Sequence, residues 1–481
     1  MTARRAWHRP IVIVTLNELR SMWRDGRLWA MGCTLAVLLA ALTVSAALSE
    51  RRASHERAVV ARATLAQWNQ QGDKNPHRGA HFGLYAFRTP SALAVMESGL
   101  LPFTGQAIWL EPHRRNLARF TQAADQTPVM RLADTGPGFV LNALLPLLII
   151  GLAFNAVSRE REAGTLRMLH CAGVSGVPFL AGKWLGVLAA VGIVLLPCAV
   201  TSTAALAIAG PIDTDSAARA ALLAAAYLVY YAVIAALTVA VSAVVSASRT
   251  ALFALMGVWI AFVIVVPRLS AAAADRWVAL PASTDFWHAI TTDYQQGLGD
   301  DGDLAARGKA YDAQLLRDHG VARLADLPVG AAALRRLHRD AYANRVHALH
   351  FERLWARYDR QEQLMTAMAL LSPSLAMRSI AMHLAGTDLA HQRHFEDHAE
   401  RYRQQVSTHI DGWDSQATRG MASYDDKYGH DALWQSIPPF RYDAPSVRFA
   451  LRAAAADLAV LVAWACVALG LLGLSVGKVR P

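Results

Sequence analysis

Histidines at 391, 394 and 398 fall on one face of a predicted helix, the arrangement from which a metal site would be read first. Seven residues of helix rise ~10.5 Å, so His391, His394 and His398 cannot all hold one ion directly, and at most a pair with an outside ligand could. Solvated or packing histidines are the expectation here, with no metal and no cofactor in this chain. The string "HFEDH" (394–398) does not make the H-E-x-x-H zinc-protease motif, and no G-x-S-x-G elbow appears. A nucleotide cradle needs G-x-x-x-x-G-K-[ST]. The nearest string runs from Gly176 to Lys183, with five residues between its glycines and Trp184 where the hydroxyl should stand. The chain is therefore not expected to be an enzyme, and any ATP-Mg it depends on would be bound by another polypeptide.

A second set of residues draws attention because it lies in apolar surroundings. Asp457 falls eight residues into an apolar run, where an ionisable group is a functional candidate by default. The eighteen apolar residues after it favour a place at the outer interface, near Arg452. Asn142, Asn155, Tyr227, Tyr230 and Tyr231 could line a path or bond between helices, and helix packing is the commoner reason for such residues.

The third set is "SREREAGTLRMLHCAGVSGVPFLAGK" (158–183), a charged excursion between two long apolar runs. Glu160, Arg161 and Glu162 suit a helix start with charges facing water, and Leu166 and Leu169 supply a small apolar ridge. Gly173 and Gly176 break that helix, and Pro178 and Lys183 lead into the next run. A short amphipathic element of this kind can fit a groove in a soluble partner, its charges setting register.

The elements that must position these residues are membrane spans. The chain of 481 residues is 54% hydrophobic and 17% charged, against roughly 25% charged in ordinary soluble domains. Six runs reach the ~20 residues that a helix needs to cross a bilayer: 28–48, 138–157, 184–209, 219–245, 250–267 and 449–476. The net charge of +10 reads as topology rather than nucleic-acid binding, because much of the basic excess flanks these runs. Arg4, Arg5, Arg9, Arg20, Arg24 and Arg27 precede the first run, and Lys478 and Arg480 follow the last, so both ends are expected inside. The loop 210–218 carries Asp213 and Asp215 without Lys or Arg, as an outer loop would, and 246–249 is inner. The first run is expected to be a retained anchor rather than a removable signal peptide. Residues 11–29 read as an interfacial amphipathic helix within the cytoplasmic segment 1–27.

Two outer regions remain, 49–137 and 268–448, with 477–481 as a cytoplasmic tail. The second recurs in apolar residues at three- and four-residue steps and reads as a helical domain packed on itself. It is broken by "GLGDDGDLAARG" (297–308) and closed by the Pro-rich "SIPPFRYDAP" (436–445). The first, richer in Gly, Pro and Asn, resists assignment. The four cysteines, Cys33, Cys171, Cys198 and Cys466, all lie in or beside apolar runs, so a disulfide framework is not expected. The fold class is thus an all-α polytopic membrane protein: six transmembrane helices, an N-terminal interfacial helix and a large, mostly helical extracytoplasmic domain.

At Glu160, Arg161, Glu162, Gly164, Thr165, Leu166, Gly182 and Lys183 the chain resembles the loop after span two of type-2 ABC transporter permeases. The large insertion between spans five and six is similar to that of one subgroup, most clearly at "LSPSLAMRSIAMHLAGTDLAHQRHFEDHAERYR" (371–403). The resemblance implies that 158–183 is a coupling helix docked on a cytoplasmic ABC ATPase. It further implies that a second copy or a related permease completes the path, and that export is the favoured direction. A bacterial inner-membrane location follows, with the lipid bilayer as surroundings, no nucleic acid, and a candidate periplasmic partner at the large domain. The rival readings are an ATPase-coupled scaffold or mechanotransmission protein, and, with less support, an ATP-independent transporter.

Overall fold

The computed structural model describes residues 2–119, 121, 136–210 and 212–479. Residues 120 and 122–135 of the first outer region, Pro211 of the short outer loop and Arg480 of the tail lie outside the described residues. Six helices are long and apolar enough to cross a membrane: Arg27–Asn69, Pro137–Glu162, Gly176–Ala209, Thr214–Val244, Ser248–Trp277 and Ala455–Lys478, taken below as spans one to six. Among the described residues the one sheet is a two-stranded antiparallel hairpin, Leu84–Phe87 with Ala107–Leu110.

Span one does not stop where its apolar run stops. It continues as one helix of 43 residues, about 65 Å at helical rise, more than twice the ~30 Å of a hydrocarbon core. The extension from Ser49 is rich in Ala, Arg and Glu and has neither Gly nor Pro before Gly72, so no local signal ends it. Its far end is anchored: the Trp68 indole donates to Trp434 O at 3.0 Å, and the two rings meet edge to face.

The N-terminal helix, Thr2–Arg24, packs against span three, and Gly26 at φ 75° turns the chain into span one. Residues 11–24 thus belong to this helix, whereas 27–29 open span one. Its approach depends on Gly182 and Gly186, one turn apart on span three. A Cβ at Gly182 would stand 2.6 Å from the Val14 side chain, and one at Gly186 2.8 Å from that of Glu18. Small residues at this spacing let two helices in a bilayer approach closely. Val12, Ile13 and Leu16 point away from the bundle and stay exposed.

The described parts of 49–137 and 268–448 form one body. Trp68, Leu84 and Ile108 from the first share an apolar cluster with Phe395, Ile410 and Trp434 from the second. The long helices Ala331–Met368 and Leu389–Ala417 pack against each other in that body.

The expected self-contained outer domain sends one helix elsewhere. Pro373–Ala385 lies against spans four and six, and Met377, Ile380, Ala381 and Leu384 are buried in the same cluster as span residues. Ser372 caps its start, and the Ser372 hydroxyl donates to Phe262 O of span five at 2.7 Å. A sequence of this apolar character is too short to cross a membrane but long enough to bury one face among helices that do.

Spans two and five each contain one π turn, at Val140–Leu144 and Ala261–Val265, beside the inserted helix. A π turn loosens the carbonyl ladder, and in lipid each freed carbonyl needs a new donor. The Tyr231 hydroxyl donates to Leu141 O at 3.0 Å, Tyr230 to Asn142 O at 2.9 Å and the Trp259 indole to Ala143 O at 2.9 Å. Asn142 in turn donates to Ser374 O and Oγ at 3.2 and 3.1 Å.

Candidate functional site

The charged excursion begins in the last turns of span two and folds as two short helices, Ser158–Glu162 and Thr165–Cys171, with Gly164 between them at φ 73°. A left-handed backbone at that point suits glycine and few other residues. Gly173, at φ 84°, then lets the chain turn into span three.

The charged residues at its start do not simply face water. Lys183 Nζ, almost fully buried, meets Glu18 Oε2 of the N-terminal helix at 2.6 Å and Glu160 Oε1 at 3.0 Å. Thr165 Oγ1 donates to the Glu160 carboxylate, joining the two short helices. Arg161 donates to Ala243 O and Val245 O at 2.8 and 2.9 Å, closing the end of span four, and to Lys478 O of the tail at 3.0 Å. Glu162 accepts from Ser248 N and Oγ at 2.8 and 2.7 Å, which caps the start of span five. Those end groups have no partner within their own helices, and charged side chains supply it strongly.

The apolar ridge splits by function. Leu166 is 2% exposed and belongs to the main core, and Leu169 packs against that core. The outward face of Thr165–Cys171 is made instead by Arg167, Met168 and Cys171, with Met168 71% exposed. Sequence reasoning missed Arg167 and Met168. The signal was available in the three- and four-residue steps, which put Leu166 and Leu169 on one side of the turn and Arg167 and Met168 off it.

The remaining candidates are dispersed. Asn155 accepts from Arg27 Nη1 at 3.2 Å and ties span two to the start of span one. Tyr227 stacks on Tyr231 with ring centres 5.7 Å apart. With the π-turn bonds of Tyr230, Tyr231 and Asn142, these contacts are helix packing. Asp457 is buried against the protein: its Oδ2 accepts from Ser379 Oγ of the inserted helix at 2.6 Å and lies 3.6 Å from His383 Nε2.

The three histidines at 391, 394 and 398 each have a separate engagement. His391 Nδ1 meets Asp388 Oδ2 at 2.5 Å, His394 Nδ1 meets the Tyr442 hydroxyl at 3.2 Å, and Arg401 lies 2.8 Å from His398 Nδ1.

Residues 123–280, covering spans two to five and the loop, match the family model described as ABC-2 family transporter protein. The membrane portion is that of an ABC-2 type permease. Residues 286–443 of the permease match a domain of unknown function, DUF3526, which corresponds to most of the polar body between spans five and six. No curated protein matches the chain. The match over 123–280 supports a multi-pass membrane component of an ABC transporter, a family whose members partner an ABC ATPase subunit.

Proposed function

We infer that this permease is the membrane subunit of an ATP-driven exporter, moved by a separate cytoplasmic ATPase that docks on the outward face of Thr165–Cys171. The observation that carries this reading is the set of bonds behind that face. Glu160, Arg161 and Glu162 grip the N-terminal helix through Lys183, the end of span four, the tail and the start of span five. A displacement of one short helix is delivered to all of them together. On this reading the end of the bundle that holds the loop, the N-terminal helix and the tail is cytoplasmic in a bacterial inner membrane, as its basic flanks favour. The polar body is then periplasmic. A second copy or a related permease completes the path, and ATP-Mg is held by the ATPase.

The test is co-purification in detergent with candidate ATPases, ideally one encoded beside the permease. Arg167→Glu combined with Met168→Glu should abolish recovery of the ATPase while leaving the permease's melting temperature within a degree or two. Recovery unchanged by that double substitution would place the docking surface elsewhere.

A second reading, mechanotransmission without a transported substrate, is favoured by two observations. Span one runs unbroken from the loop end of the bundle into the polar body. In addition, a cavity among spans two, four and five holds only about 20 Å³, whereas one in the polar body reaches about 660 Å³.

A further inference from the structure

The cavity of about 660 Å³ in the polar body has three imidazoles on its wall: His77, His81 and His113. His77 and His81 lie one turn apart on and just after the short helix Pro76–Ala80, with their Nε2 atoms 3.3 Å apart. Two imidazole nitrogens bound to one tetrahedral ion at ~2.0–2.1 Å stand about 3.3 Å apart, the same separation. The His113 ring completes a near-equilateral set, its centre 4.9 Å from that of His77 and 5.0 Å from that of His81. One nitrogen from each ring lies within 4.8 Å of the others, a spread that side-chain rotation closes. A hydrogen bond between two neutral rings would account for His77 and His81 alone, but not for the third ring beside them.

Each ring is held by something specific. Asn75 caps the short helix by accepting from His77 N and Arg78 N, and Gly79 sits so close to the Trp434 ring that no side chain would fit there. His113 occupies the turn between Glu111 and Arg114, which Asn116 closes by donating to Trp109 O and Glu111 Oε1. Behind His113 stands Asp340 of the long helix Ala331–Met368: its buried Oδ1 is 2.7 Å from His113 Nδ1, leaving Nε2 for an ion. A carboxylate on the far nitrogen of a histidine is the usual support of a histidine that binds metal.

The charges nearby do not oppose a cation as strongly as the arginines on the wall suggest. Arg336 is taken up by Asp411 and Asp414, and Arg114 by Glu111 at 3.3 Å, while Asp340 adds a negative charge at the site. We propose that His77, His81 and His113 form a three-histidine site for a divalent zinc-class cation, supported by Asp340 and open on its fourth side to the cavity. Trp287, Tyr294 and Arg339 also line that cavity, so the open position suits water or an anionic donor from a bound molecule. All three ligands come from the first outer region, and Asp340 of the second reaches the ion only through His113, so the ion would order the first region and steady its contact with the second at His113 and Asp340. The proposal is independent of whether the permease exports a substrate.

The test uses the full-length permease, purified in detergent without a polyhistidine tag and titrated with Co²⁺ and then Zn²⁺. One equivalent of Co²⁺ should give the visible absorption of a tetrahedral site, and Zn²⁺ should displace it. Single substitutions His77→Ala, His81→Gln and His113→Ala should each remove that spectrum, and Asp340→Asn should weaken affinity about 10- to 100-fold. His81 is exposed, so His81→Gln gives a readout on a folded protein even where another variant fails to fold. No stoichiometric binding by the unaltered permease, or an unchanged spectrum in His81→Gln, overturns the proposal.

Discussion

Lys183 shows how one residue can be legible in type and hidden in role. Its place at the opening of span three is plain in the sequence, but its partners Glu18 and Glu160 arrive from two other segments. A buried charge with a partner removed is costly, on the order of 3–5 kcal/mol. Lys183→Met is therefore expected to lower the thermal midpoint of the purified permease markedly, by leaving Glu18 buried without its cation. Adding Glu18→Gln should recover much of the loss, a coupling that a double-mutant cycle reads directly. Additive losses would mean that the pair does not act as a unit. The same hidden partnering explains why Glu160 and Glu162, which have the pattern of rim charges, are tethers between helices. Charge periodicity tells which side of a turn a residue occupies, and not whether a distant segment comes to meet it.

At the scale of elements, the inserted helix Pro373–Ala385 is the feature least visible from the sequence. Its length fits a soluble domain, and only the burial of Ile380, Ala381 and Leu384 against spans reveals its place. The six spans were legible because each is long, apolar and bordered by charge. The three-histidine group was not, because His113 reaches the others only through a hairpin in a region without clear periodicity. At the rim of the inserted helix, His383 is ringed by Asp388, Asp457 and Glu362, with nitrogen–oxygen distances of 3.5 to 3.6 Å. Burial alone would lower its pKa, but these carboxylates prevail and raise it from the ordinary 6.5 to about 10. A raised histidine contributes stability that is fully present below pH 6.5 and is lost as pH rises through about 10. The wild-type melting temperature should consequently fall more steeply than that of His383→Gln between those limits. Parallel curves would remove His383 from the account.

Across the whole molecule, span one joins both ends: its start touches span two through Arg27 and Asn155, and its far end seats Trp68 in the polar body. A proline inside a helix removes a hydrogen bond and kinks the axis, at about 3 kcal/mol or more. Arg51→Pro, placed just beyond the apolar run, is expected to leave the ATPase bound and its basal hydrolysis intact. It should also abolish ATP-dependent changes in protease sensitivity of the polar body. Unaltered changes would show that span one is a passenger and that the signal crosses through spans five and six. The sequence could supply the rod's composition but not its destination, since Trp434 lies in a segment that only the folded body brings near.

Of the four cysteines, Cys33, Cys198 and Cys466 fall within spans, and Cys171 alone stands outside them, exposed on the helix Thr165–Cys171. The permease therefore carries a built-in chemical reporter. On purified protein a charged, bilayer-impermeant maleimide can footprint this one thiol, and its rate of labelling registers how much of the time that face is uncovered.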